Sequence, residues 1–211
     1  MKKKKELPNI GLPNEQFVKI IPVPETESGK KSVISYGFFS SSFGKIMVAS
    51  LPQGICYVGY AFSKESALQE LQTRFPNDIL KKHRNKKHEQ VKRLFAGKWE
   101  KREKLLLYLK GTPFQLKVWD ALLQIPCGSV SSYSKIAHSM GCPNAQRAVG
   151  TAIGKNPVLY LIPCHRVIAQ NGKMGGFYWG IEKKLELLDL ENAGYLHFTS
   201  SFTPSKSCSE L

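Results

Sequence analysis

Long apolar runs are absent from these 211 residues. None reaches the ~20 residues that a membrane-spanning helix requires, so no membrane partner is expected. The basic start "MKKKKELPNIGLPNE" has no apolar stretch behind it, which argues against a secretory signal there. Cysteine is sparse: Cys56, Cys127, Cys142, Cys164 and Cys208 lie far apart, with no Cys-x-x-Cys pair. That spacing argues against a zinc knuckle or a disulfide framework. It fits a reducing, intracellular compartment, the cytoplasm if the source is bacterial. No internal repeat is visible. Acidic side chains are few, 16 against 31 Lys and Arg, and the resulting net charge of +15 suggests a polyanionic partner.

The excess is uneven. Residues 1–112 hold 22 Lys and Arg against 10 Asp and Glu, net +12, while residues 113–211 hold 9 against 6, net +3. The densest run, Lys81 to Lys104, reads first as a solvated helix face and second as a surface that steers the protein toward DNA.

Apolar content of 42% is enough for a real core. Residues 1–31, rich in Lys, Pro, Gly and Ser, read as a flexible basic arm. "VISYGFFS", "GKIMVASL" and "ICYVGYAF" are β-branched and aromatic runs separated by turns, the pattern of strands. "SKESALQELQTRFP" reads as a helix capped by Ser63, with Leu68, Leu71 and Phe75 on one face and Pro76 as its stop. Residues 32–110 thus predict a small antiparallel sheet with a helix on it. The character changes over 111–195. Thr112-Pro113-Phe114-Gln115 is a capping box with proline at the first helical position. Phe114, Val118 and Leu122 then share a face. "SYSKIAHSM", capped by Ser132, and "AQRAVGTAIGK" flank a turn at Gly141, which suggests a helix-turn-helix. A last helix runs from about Ile181 to Glu191, with Ile181, Leu185 and Leu188 on its apolar face. Residues 196–211 form a tail.

The second helix of the pair is nearly bare: Ala145, Ala148, Gly150, Thr151, Ala152 and Gly154. Each glycine costs it roughly 1 kcal/mol, so close approach is the gain, to a neighbouring helix or to a nucleic-acid groove. Arg147 is the one long cation in its first two turns.

Cys164 and His165 follow Pro163 directly, a nucleophile beside a base. In an extended chain they would point apart, so cooperation needs a bridging water or a sharp backbone turn after Pro163. A free thiol is only ~3% thiolate at pH 7. Full ionisation therefore supplies about 2 kcal/mol, and in-line positioning of the electrophile must supply more. Glu191 on the last helix is costly unless paired. Pairing it with His165 would fix the imidazole tautomer.

"IPCHRV" with "NP" upstream, the "SYSKIA" helix and "QRAVGTAIGKNP" resemble the O6-alkylguanine-DNA alkyltransferases, the methylated-DNA–protein-cysteine methyltransferases. The resemblance covers residues 113–193 and continues more weakly over about 32–110. It implies an α+β fold, with an N-terminal ribonuclease H-like domain before a mainly helical domain that carries the helix-turn-helix. It implies stoichiometric DNA repair: Cys164 takes the alkyl group from O6-methylguanine, and less well from O4-methylthymine, and the protein works once. His165 would be the base through a water, with Glu191 behind it. Asn156 would brace the loop. Tyr133 would help rotate the nucleotide and donate to the leaving guanine, and Arg147 would fill the vacated stack. Ala145, Ala148, Gly150 and Thr151 would lie in the minor groove of double-stranded DNA. Val167, Tyr178 and Trp179 would line the alkyl pocket. No cofactor, metal or oligomeric partner is implied, and no regulatory segment is visible. A DNA-binding regulator with Cys164 as a redox or alkylation sensor is the alternative reading, and a Cys–His hydrolase a further one.

Overall fold

The computed structural model describes residues 18–27, 30–96 and 104–191. Strands form where β-branched and aromatic residues cluster. β2 (Val33–Ser41), β3 (Gly44–Ser50) and β4 (Ile55–Tyr60) make the antiparallel meander that the sequence predicts. The sheet is nevertheless larger than expected, and mixed. β1 (Val18–Pro22), β5 (Ile79–Lys82) and β6 (Leu105–Leu109) join it through parallel pairings, in the order β1-β6-β4-β3-β2-β5. Two features hid them. The β6 text "LLLYL" is a continuous apolar run, as in strands covered on both faces, and shows no alternation. β1 lies inside the stretch read as a flexible arm, yet Val18–Pro22 pair residue for residue with Leu105–Leu109. Residues 1–17 and the tail lie outside the described residues.

Two layers cover the sheet. α1 (Lys64–Arg74) starts at a capping box in which Ser63 and Ser66 satisfy each other's backbone N–H. Its Ala67 and Leu71 pack with Met47, Ala49, Cys56 and Tyr57. α2 (Lys86–Phe95), capped by Asn85, covers the opposite face with Val91, Leu94 and Phe95 against Ile46, Val48 and Val58. Alternation along β3 sends Ile46 and Val48 one way and Met47 and Ala49 the other. Part of the basic run from Lys81 is therefore the outer side of a seated helix, and residues 97–103 lie outside the described part.

The α2 face continues into the second half as one apolar core. α3 (Pro113–Leu123) begins with the Thr112–Gln115 capping box and buries Val118, Trp119, Leu122 and Leu123. α4 (Tyr133–Ser139) is capped by Ser132 and leads through Gly141, at φ +73°, into α5 (Gln146–Gly154). The Trp119 indole N–H donates to the Ala152 carbonyl at 2.9 Å, which fixes α3 against α5. β7 (Ser131–Ser132) pairs in parallel with β8 (Val167–Ile168). The buried face of α6 (Ile181–Leu190) is Lys184, Leu187 and Leu188, with Ile181 half exposed. This corrects the expected face of Ile181, Leu185 and Leu188. Lys184 can turn inward because the carbonyls of Val167 and Met174 accept from its ammonium. Among the described cysteines Cys56, Cys127 and Cys164 are free thiols.

Candidate active site

Between α5 and the short turn at Cys164 no regular element holds the chain, so individual groups do. The β4 backbone takes hold first. Val58 N–H donates to the Pro157 carbonyl at 3.0 Å, and Leu159 N–H donates back to the Val58 carbonyl at 2.8 Å. Tyr160 then adopts φ +69°, the left-handed region that a side chain disfavours. Leu161 N–H donates to Leu159 O and Cys164 N–H to Ile162 O, both at 2.8 Å, folding the segment into tight three-residue turns. Cys164, His165 and Arg166 form one 3-10 turn. The backbone therefore turns at Pro163, and the two neighbours are not on opposite faces of a strand.

Asn156, almost fully buried, braces this loop. Its amide donates to Val158 O at 3.3 Å, to Ile162 O at 3.0 Å and to the Cys164 sulfur at 3.2 Å, and its carbonyl accepts from Val158 N–H at 3.0 Å. Burial pushes the Cys164 thiol up, against the Asn156 hydrogen bond and the Lys184 charge. Burial likewise pushes His165 down, against the nearby Glu191. The resting pair is a neutral thiol beside a neutral imidazole.

Glu191 caps α6 and meets two side chains, besides the Gly128 N–H, which donates to Oε2 at 3.5 Å. His165 Nε2 lies 2.9 Å from Oε1, and Arg166 binds both oxygens, through Nε at 2.9 Å and Nη2 at 2.8 Å. Burial alone would raise this carboxyl, but His165 and Arg166 outweigh it and hold the group at about 2. An ionised Glu191 accepts the Nε2 proton, which leaves Nδ1 as the lone-pair nitrogen of a neutral ring. Nδ1 is buried and has no protein hydrogen-bond partner. Tyr160 stacks on this imidazole at 5.2 Å.

In front of the thiol lies a cavity of about 580 Å³. Asn156 and Cys164 line it from the loop, and Tyr133, Arg147, Gly150 and Thr151 from α4 and α5. Tyr178 and Trp179 line it from the following loop. Gly175 admits that loop: it sits at φ +65°, and a Cβ there would come within 2.6 Å of the Tyr133 hydroxyl. Trp179 is largely buried, edge-on to Tyr60 and Phe177, and its indole N–H has no protein partner.

Three expected residues lie outside the lining of this cavity, two of them expected in a nucleic-acid groove instead. Val167 does not line the cavity: β8 pairing with Ser131 turns it inward, and its carbonyl is taken by Lys184. Ala148 is exposed on the outer side of α5, and Ala145 is its N-terminal cap residue. Sequence reasoning missed Arg166 and Lys184. Lys184 was detectable, since it stands seven residues before Glu191, two turns along the same helix face. The Arg166 signal was its place beside His165, but nothing local says that an arginine will be buried.

Comparison with known proteins follows the same geometry. Residues 113–193 match the family model described as 6-O-methylguanine DNA methyltransferase, DNA binding domain. The inducible methylated-DNA–protein-cysteine methyltransferase of Bacillus subtilis is 42% identical over 151 residues, covering 68% of this chain and 82% of that protein. The regulatory protein ada of Salmonella typhimurium is 34% identical over 192 residues, covering 86% of this chain; the chain spans only 50% of that protein's length. Mycobacterium tuberculosis OGT, solved in complex with DNA, superposes with a TM-score of 0.60 at 31% identity, covering 81% of this chain and 96% of the other.

Proposed function

Because the chain belongs to the family of methylated-DNA–protein-cysteine methyltransferases, we propose that it repairs DNA by moving the alkyl group of O6-methylguanine, and less readily of O4-methylthymine, onto its own Cys164. One observation carries this reading: Cys164 lines the cavity with its sulfur held by Asn156, and the next residue begins the His165–Glu191–Arg166 chain.

The target atom is inaccessible inside a duplex, so the base is turned out into the cavity. The thiol proton passes through a water to His165 Nδ1, whose lone pair is free because Glu191 holds the proton on Nε2. Sulfur then attacks the alkyl carbon, the S–C bond forms and the C–O6 bond breaks. The Tyr133 hydroxyl, kept protonated by burial and by the nearby Cys164, donates a hydrogen bond to the departing guanine anion, which takes up a proton from water as His165 gives its own back to water. The product is a thioether, which water does not readily hydrolyse, so the protein acts once and needs no cofactor.

α4 and α5 with their turn work as a helix-turn-helix beside an N-terminal ribonuclease H-like domain. The exposed side of α5, with Ala148, Thr151 and Gly154, enters the minor groove, and Arg147 fills the place of the extruded base. The protein acts as an intracellular monomer. Intact-mass measurement after incubation with duplex O6-methylguanine DNA tests the reading. One added methyl group, mapped to Cys164 and absent in Cys164→Ala, is expected. An adduct on Cys127 instead, or none, refutes it.

A further inference from the structure

A second cavity, of about 450 Å³, opens on the N-terminal half between the β2–β3 hairpin and the start of α1. Lys45, Lys64, Arg84 and Lys92 line it, and no carboxylate does. Two of these cations have local work. Lys92 pairs with Glu89 at 3.3 Å, both about half exposed, and Arg84 donates to the Phe38 carbonyl at 2.5 Å while lying 4.6 Å over the Phe39 ring. Lys45 and Lys64 are exposed.

The same cavity carries Phe62, a large apolar side chain with 70% of its surface in water. Among the described residues it is the most exposed large apolar side chain. Phe62 stacks on Tyr60 at 5.6 Å and 22°, and Tyr60 meets the edge of Trp179 at 6.1 Å. Trp179 is also a wall of the Cys164 cavity. The basic cleft and the alkyl pocket therefore flank one short aromatic column.

We propose that this cleft is a binding site for single-stranded DNA, with phosphates on Lys45 and Lys64 and one unstacked base on Phe62. Cations interleaved with an exposed ring are what an unpaired strand recognises, since its phosphates are charged and its base faces are open. A duplex hides those faces, so Phe62 selects single strand over double. The occupant argued for is DNA rather than an acidic protein because a single strand offers flat base faces to the aromatic column as well as negative charge to the lysines. This inference rests on the DNA-repair reading above.

The test measures binding of a fluorescent oligothymidylate to the full chain at several salt concentrations. Phe62→Ala should weaken binding by between about fivefold and about a hundredfold, the range for losing one base–aromatic stack. The double variant Lys45→Ala/Lys64→Ala should lower the slope of log affinity against log salt by about 1.4, at ~0.7 per single-strand phosphate. Both variants should still methylate Cys164 from saturating duplex substrate at the wild-type rate. Unchanged oligothymidylate binding in either variant overturns the proposal. So does a Phe62-dependent affinity for polyglutamate without one for the oligonucleotide, which would reassign the cleft to an acidic protein segment. Intact mass on the same samples separates the two readings. A wild type that gains no methyl group removes the repair reading, whereas normal methylation with unaltered single-strand binding removes the cleft alone.

Discussion

Charge is used differently in the two halves of this molecule. The N-terminal half holds most of the excess, +12 over residues 1–112, and its cations on β5 and α2 point mostly outward. The C-terminal half carries little net charge, but it buries Arg166, Lys184 and Glu191 on the turn that holds Cys164 and on the helix behind it. An exposed cation is screened by salt and acts on whatever polyanion is near. A buried one is fixed by its hydrogen bonds, sets the ionisation of its neighbours, and is damaging to unpair. The abundant charge can gather DNA, whereas the few buried charges make a chemical site.

The sharpest way to break the buried set is Arg166→Met. It leaves Glu191 short of two donors and the Ile125 carbonyl short of one, at 2.5 Å. A loss of about 3–5 kcal/mol is expected, as for any buried pair that loses one partner. Urea denaturation measures it, and methyl transfer should fall with it. A change under ~1 kcal/mol would mean that the network is slack.

Acid should act on the same carboxylate. Glu191 is held at about 2, below its ordinary value of 4.5. Its contribution is thus complete above about pH 4.5 and is lost as pH falls toward about 2. The linked stability is on the order of 3 kcal/mol. Glu191→Gln should be less stable at neutral pH but flatter across that acid window, which a pH series of denaturation midpoints reads directly.

Arg147 tests the one exposed cation in the second half that we give a specific task. Arg147→Ala should slow transfer from duplex DNA about tenfold or more, at ~1–3 kcal/mol per stack, and leave attack on free O6-methylguanine nearly unchanged. Equal losses in stopped-flow assays of both substrates would remove its stacking role. The smallest effect belongs to the outer lysines. Lys81→Ala with Lys86→Ala should change stability by no more than about 0.5 kcal/mol. Transfer near physiological salt should stay within about twofold. A larger loss would show that the N-terminal charge contacts the duplex directly.

Much of the local structure was legible because its causes are local. Ser63, Thr112 and Ser132 announce three helix starts through their hydrogen bonds to the first turn. The hairpin-connected strands β2 to β4 show their β-branched and aromatic runs openly. β1 and β6 were not legible as partners, since their pairing joins residues 18–22 to 105–109 and nothing in either segment names the other. The Trp179 side chain divides in the same way. Its position in "FYWG" marks the pocket wall, but its contacts with Tyr60 and Phe177, which limit how far the ring can swing, come from two different segments.

The sequence by itself determined the adjacent Cys164 and His165, the capped helices, the bare face of α5 and the family to which they point. Each depends on residue type and on spacing along a few turns. Only the tertiary structure decided that β4 grips the loop through Val58 and that Lys184 turns inward. It also decided that Arg166 rather than His165 alone holds Glu191, and that Phe62 and Trp179 meet across Tyr60. Those outcomes depend on which distant backbone groups arrive to accept or donate a hydrogen bond. That arrival is set by how the whole sheet and its two layers pack, which no single stretch of the chain encodes.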